Sequence, residues 1–317
     1  MARAVGLALL IIAGLAAPFF VYPVFLMKAL CFAIFACAFN LVFGFGGLLS
    51  FGHGAFLGGS AYVTGYVVKM WGFTPELGLL AGMAAAAALG FVFAVLATRR
   101  QGIYFAMITF GLAQMVYFAA LQLPFTGGED GLQSVPRRHL FGILDLSSNL
   151  VMYYFVLTIF LLSLIAVWRI VRSPFGQVLH AIRDNEPRAM SLGYRVEHYK
   201  ILVFMLSSTL AGLAGGLKCL VFGIATLTDV YWHASGEVVL MTMLGGVGTM
   251  LGPAVGAVLV VGIQNYFAEL GAWVTIIQGA IFVIVVMAFR RGIVGELAPF
   301  LARLGRREQS VSRVPAE

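Results

Sequence analysis

The chain has 317 residues, of which 61% are hydrophobic and only 10% charged, with a formal net charge of +7 and a mean hydropathy of +0.98. Soluble domains carry about 25% charged residues, so little material is left for a soluble domain, and the chain reads as an all-α, polytopic integral membrane protein. Cys31, Cys37 and Cys219 all lie in apolar runs, with no second cysteine or histidine at ligand spacing, so they read as packing residues; neither a metal nor another cofactor is expected.

In chain order, the apolar run 4–17 reads as a retained first crossing, because nothing resembling a soluble mature domain follows it. Residues 24–42 give a second crossing. The segment 44–68 is long enough to cross but has glycine at 44, 46, 47, 52, 54, 58, 59 and 65, and glycine both weakens a helix and lets backbone approach closely. Residues 77–97 are an ordinary span closed by Arg99 and Arg100, and 103–121 is the next, carrying Thr109 and Gln114. A polar loop, 122–148, contains TGGEDG at 126–131. Residues 150–168 then lead to a polar island at 173–200. Beyond it, 201–222 carries AGLAGG at 211–216, suited to close helix contact. A short loop with Asp229, His233 and Glu237 precedes 238–267, which GGVGTMLGP interrupts at 245–253. The last span is 273–289, and a basic tail, 290–317, fits contact with anionic lipid.

The island organises the rest. It holds seven charged side chains and two histidines, and charges at mid-membrane cost about 2.5 to 3.5 kcal/mol each, so it lies in water or on another protein. Ser173 is a good N-cap and Pro174 fits the first helical position. Phe175, Val178, Leu179 and Ile182 recur at helical spacing, opposite a charged face. Asn185 and Pro187 start a second helix, which Gly193 stops, leaving Glu186, Ala189 and Gly193 spaced E-x-x-A-x-x-x-G. Two readings fit the apolar stripe: docking into a partner groove, or lying flat on lipid.

Fourteen of the 20 Lys and Arg fall at 99–100, in the island with its flanking Arg169 and Arg172, and in the tail. The positive-inside rule makes these three regions cytoplasmic; Arg137 and Arg138 in the 122–148 loop run against it. Parity then requires 238–267 to cross twice. The expectation is a bundle of about 8 to 10 transmembrane helices, two of them glycine-broken, with both termini cytoplasmic.

Broken helices at comparable places in two halves point to a transport path, although glycines also serve tight packing. Gly46, Gly47, Ser50, His53, Thr109 and Gln114 in the first half, and Gly245, Gly246, Thr249 and Pro253 in the second, are the candidate path residues. His53 has two readings, a proton or carboxylate partner and, the favoured one, a packing or helix-bridging group. No Asp or Glu falls in the middle of a predicted span, which argues against proton coupling. The chain contains no G-x-x-x-x-G-K-[ST], H-E-x-x-H or G-x-S-x-G. It is therefore not expected to be an enzyme, and any ATP that drives it is hydrolysed by another chain.

The stretches GLLSFGHGAFLGGSAY (47–62), GIYFAMITFG (102–111), TGGEDGL (126–132), the whole island and LGGVGTMLGPAVGA (244–257) together carry a resemblance. The chain resembles the LivM-type permease subunits of bacterial branched-chain amino acid ABC importers, from about residue 30 to 289. The resemblance implies a single permease domain over 1–317, in the bacterial inner membrane. Its partners would be a similar LivH-type permease, two ATP-binding subunits and a periplasmic substrate-binding protein, in lipid and without nucleic acid. It further implies that Phe175, Ile182, Glu186, Ala189 and Gly193 lie in a coupling segment, 173–200, that carries ATPase closure to the spans. Glu129 departs from the usual TGGSDGL. The resemblance leaves the substrate open between branched-chain amino acids and urea or short-chain amides. An ion-coupled secondary transporter and a passive channel for a small solute remain as other readings.

Overall fold

The computed structural model describes residues 14–140, 144–271, 273–289 and 292–296. The predicted first crossing, 4–17, lies outside the described residues apart from its last turn, as does the basic tail beyond 296. The helices are α1 (Pro23–Asn40), α2 (His53–Lys69), α3 (Pro75–Ala97), α4 (Ile103–Gln122), α5 (Asn149–Arg172), α6 (Pro174–Asp184), α7 (Glu186–Ser191), α8 (Val196–Phe222), α9 (Leu227–Val230), α10 (Trp232–Gly245), α11 (Gly252–Tyr266) and α12 (Trp273–Ala288). A two-residue pair, β1 (His139–Leu140) antiparallel to β2 (Leu144–Asp145), sits in the loop between α4 and α5.

The protein is an all-α membrane protein. Among the described residues, five helices are long and apolar enough to cross a bilayer: α1 with the π-helical turn Leu41–Phe45 that extends it, α3, α4, α5 and α8. The apolar helices α2, α10, α11 and α12 have 17, 14, 15 and 16 residues, short of the roughly 20 needed to span unaided.

Small residues set the packing. Gly78, Gly82, Ala86 and Gly90 recur every four residues in α3 and so share one face. A Cβ at Gly82 would strike the Thr64 and Ser60 hydroxyls of α2, and one at Gly90 the Ser208 hydroxyl of α8. From α8, Gly212 meets Ala86 and Gly215 meets the Leu57 carbonyl. At this separation Ser60 donates to the Gly212 carbonyl at 2.6 Å and Thr64 to that of Gly78 at 3.1 Å. Lipid tails are as apolar as leucine, so close dispersion contact and such hydrogen bonds hold helices together in a bilayer. α1, apolar all round apart from Lys28 and Asn40, is the centre of the other half of the bundle; α5, α8, α10 and α11 pack around it.

Exposed Met115 and Phe118 on α4 and Ile276, Ile284 and Met287 on α12 face outward, as a lipid-facing surface requires. Phe20, Tyr22, Trp71, Tyr266 and Trp273 are exposed at the helix ends opposite the island, forming an aromatic belt. At that same end, Arg137 donates to the Val221 carbonyl near the end of α8 and to the Asn149 side chain, and Arg138 donates to the Gly72 carbonyl at 3.0 Å. The two arginines that run against the positive-inside rule are thus engaged with backbone carbonyls, where cations are favoured. The 122–148 loop is pinned further by an antiparallel bridge between Leu132 and Ala225.

One expectation is corrected here. The stretch holding Asp229, His233 and Glu237, expected as a short loop, is largely helical. Gly65 of α2 packs on Leu132 beside the Ala225 bridge, Gly58 packs on Val230, and Gly54 packs on the Tyr231 carbonyl. The chain therefore runs antiparallel to α2 and down into the bundle before α10 begins. Asp229 is buried, and Glu237 lies inside α10. Acidic residues therefore enter the helical layer, although none falls in the middle of a predicted span.

Candidate functional site

The island folds on the grammar of its sequence. The Ser173 hydroxyl accepts from the Gly176 N–H at 3.3 Å, and the Asn185 side chain accepts from the Arg188 N–H at 3.0 Å, capping α6 and α7. Gly193, at φ +88°, ends α7 and donates to the Met190 carbonyl at 2.9 Å, while Tyr194 reaches back to Ala189 at 3.2 Å. Glu186 is bound by Lys200 of α8, whose ammonium lies 2.7 Å from both carboxylate oxygens. The Lys200 side chain is only 4% exposed.

The apolar stripe is turned inward, not displayed. Ile182, Ala189 and Val196 form a small core, Leu179 joins the main core, and Phe175 stacks on Tyr199 at 5.5 Å. Covering these side chains against α8 removes them from water without any partner. What the island exposes instead is Met190, Leu192 and Tyr194, around the exposed Gly193.

From the island, α6 reaches the first glycine turn. Arg183 donates to the Gly44 carbonyl, and the Phe45 and His180 rings meet edge to face at 5.4 Å. Arg183 also packs on Gly47 and beside Gly248. The two glycine turns are joined directly: the Asn40 side chain donates to the Thr249 carbonyl and accepts from the Gly248 N–H, both at 2.9 Å. Gly47, Gly246 and Gly248 hold φ of +70°, +122° and +74°, conformations that L side chains rarely adopt. Asn40, a lone amide at the end of a long apolar run, went unnoticed in the sequence reading.

The structure divides the predicted path residues. Ser50, His53 and Thr109 are fully buried. Ser50 and Thr109 accept from the N–H groups of Gly52 and Phe51, both at 3.2 Å, and Ser235 accepts from Gly54 at 2.8 Å. Together they satisfy three backbone donors at and just before the start of α2. The Ser207 hydroxyl donates to the Ala38 carbonyl at 2.5 Å, so it accepts from the Nε2–H of His53 at 2.9 Å. Phe39, Phe56 and Phe204 enclose that ring, and the hydrogen bond joins α2 to α8. Gly46 is buried, and Gln114 lies half-buried on α4. Gly245 packs on the Gly252 carbonyl between α10 and α11. The Gly246 carbonyl accepts from the Thr249 hydroxyl at 2.7 Å, that hydroxyl accepts from the Gly252 N–H at the start of α11 at 3.1 Å, and Pro253 sits in that helix's first turn.

Of these candidates, Gly46 and Gly47 line open space. An apolar cavity of about 720 Å³ is walled by Leu48, Leu49 and Phe51, by Phe105 and Phe110 of α4, and by Trp232. A polar groove of about 470 Å³ lies between the same turn and residues 182–187 of the island. Gly47, Leu48 and Gly102 border both, so a short strip of backbone separates the apolar cavity from the island. Gly46 borders the groove alone.

A third cavity, of about 380 Å³, has no counterpart in the sequence reading. It is bordered by Lys28 of α1, Lys218 of α8, Asp229, Glu237 and Gln264. Lys218 pairs with Asp229 and lies over the Phe32 ring at 5.5 Å. Glu237 accepts from the Gln264 amide at 3.0 Å. Lys28 and Lys218 interrupt apolar runs singly, and that isolation was the available signal.

The model of a family described as branched-chain amino acid transport system / permease component matches residues 23–286. The high-affinity branched-chain amino acid transport system permease protein LivM of Escherichia coli (strain K12) is 26% identical over 298 residues, 85% of this chain and 69% of that protein. LivM of Salmonella typhimurium is 28% identical over the same shares. The autoinducer 2 import system permease protein LsrC of Photorhabdus laumondii is 30% identical over 120 residues, 36% of each chain. No solved structure matches. A family match that runs from the start of α1 almost to the end of α12 covers the island, both glycine turns and the cavities between them, and the chain belongs to the branched-chain amino acid transport permease family.

Proposed function

We propose that this permease couples a separate ATPase to its two glycine turns through residues 173–200, and that substrate passes beside the turn at Gly47. Family membership makes the chain a permease subunit of an ABC importer for branched-chain amino acids, a multi-pass inner membrane protein that is not itself an enzyme. The observation that carries the coupling reading is Arg183, which rises from α6 to the Gly44 carbonyl while Asn40 ties the first turn to the second. A displacement of α6 thereby acts on both halves of the bundle.

In this reading ATP binding closes an ATPase pair against the exposed Met190, Leu192 and Tyr194. α6 and α7 move as a unit, held to α8 by the Glu186–Lys200 pair. The strip at Gly47, Leu48 and Gly102 then opens or closes the apolar cavity towards the island, and hydrolysis resets it. The apolar walls suit a branched aliphatic side chain better than urea or a short amide. We further assign a second, LivH-type permease, two ATP-binding subunits and a periplasmic binding protein as partners, eight to ten crossings with two glycine-broken, and both termini in the cytoplasm.

Membrane vesicles test the energy source. L-leucine uptake is expected to stop on ATP depletion and to persist with a protonophore. Uptake that survives ATP depletion and collapses with the proton gradient would assign the chain to ion-coupled transport instead.

A further inference from the structure

We infer that the cavity bordered by Lys28, Lys218, Asp229 and Glu237 is a binding site for the zwitterionic head of an amino acid. The inference rests on the reading of the chain as an amino acid importer, and adds a site within this single subunit. Charged side chains among membrane helices are costly unless paired, and by default they mark function. One pair here is closed: Lys218 with Asp229, under Phe32.

The second pair is open. Among the described residues Lys28 makes no hydrogen bond and no ion pair within contact distance, and Glu237 accepts one hydrogen bond, from the neutral Gln264 amide through one of its oxygens, with His233 and Lys218 bordering the same cavity. Lys28 and Glu237 border the same cavity of about 380 Å³ without touching each other. An ammonium and a carboxylate held apart across a cavity are complementary to an α-carboxylate and an α-ammonium. Phe32, Leu57 and Ala234 supply an apolar wall beside them for a side chain. Tyr231 and His233 border this cavity while Trp232 between them borders the larger apolar one. The two cavities therefore adjoin across one turn of chain, and a ligand bound by its charged head in the first lies next to the second.

The test uses the complex purified from its own membrane in nanodiscs, with radiolabelled L-leucine as the probe. Saturable binding is expected, with L-leucinol, which lacks the carboxylate, and 4-methylpentanoate, which lacks the amine, competing weakly. Lys28→Met and Glu237→Gln are each expected to weaken leucine binding by about 10- to 100-fold, the loss that accompanies a removed charge-assisted hydrogen bond. Lys28→Met should also erase the preference for leucine over leucinol, which a merely structural lysine would not do. Wild-type affinity in both variants, or leucinol competing as well as leucine in the wild type, would overturn the site. The wild-type competition decides the matter even if a variant fails to fold. Import of leucine with unaltered binding in both variants removes the site alone, whereas a wild-type complex that neither binds nor imports leucine removes the amino acid reading with it.

Discussion

Arg183→Ala is expected to leave ATP hydrolysis by the assembled importer running while L-leucine uptake falls at least about tenfold, since a hydrogen bond to a charged group contributes about 1.5 to 3 kcal/mol. Arg183 is the side chain that links α6 to the Gly44 carbonyl, and it packs against Gly47 and beside Gly248. Alanine removes that link without disturbing the caps of α6 and α7, which rest on Ser173 and Asn185. Lysine keeps the charge but presents a point donor in place of a planar fork, so Arg183→Lys should fall between wild type and alanine. The measurement is the ratio of leucine transported to ATP hydrolysed in proteoliposomes. An unchanged ratio in Arg183→Ala would show that motion reaches the glycine turns by another route.

Glu186→Lys is expected to abolish uptake with the chain still present in the membrane. The Glu186 carboxylate holds a Lys200 side chain that is only 4% exposed, with both oxygens 2.7 Å from its ammonium. Breaking such a pair costs about 3 to 5 kcal/mol, because a charge is left buried and unmatched, and a second ammonium adds repulsion. α7 then loses its hold on α8. Glu186→Gln keeps an acceptor for Lys200 and should cost less. The exchange Glu186→Lys with Lys200→Glu restores opposite charges, so uptake in the double variant should recover part of what either single change loses. A double variant as inactive as Glu186→Lys would assign Glu186 a contact outside this chain.

Much of this was legible in the sequence because a bilayer leaves few solutions. Long runs without charge had to be helices, and α1, α3, α4, α5 and α8 lie where those runs are. The start signals at Ser173 and Asn185 are local chemistry, and both side chains cap as expected. The direction of the stripe at Phe175, Leu179 and Ile182 was not legible. Periodicity says that a face is apolar, not what covers it, and here it is the protein's own core and α8. Ser50, Thr109 and His53 are path candidates in the sequence because they lie near a glycine break, where polar groups can also bond helices together. The structure gives the first two to the backbone donors of α2 and bridges the third to Ser207.

The residues that were missed share a cause. Lys28, Lys218 and Asn40 each stand alone in long apolar runs, and a hydropathy window averages one polar residue away. Their role depends on residues far along the chain: Asn40 meets Gly248 and Thr249, and Lys218 meets Asp229 only because the segment before α10 descends along α2. No spacing rule reaches across such distances.

The docking role of residues 173–200 is tested most directly by a mild-detergent pull-down of the tagged chain from its own membrane, comparing the wild type with Leu192→Glu and reading the subunits by mass spectrometry. Leu192 is 70% exposed on the island, in a surface that the chain itself leaves uncovered, so the substitution should leave the fold intact. The wild type is expected to bring down ATP-binding subunits and a second permease, and Leu192→Glu to retain the permease while losing the ATPase. Equal recovery of the ATPase with both, or recovery of the wild-type chain alone, would contradict the coupling role of the island.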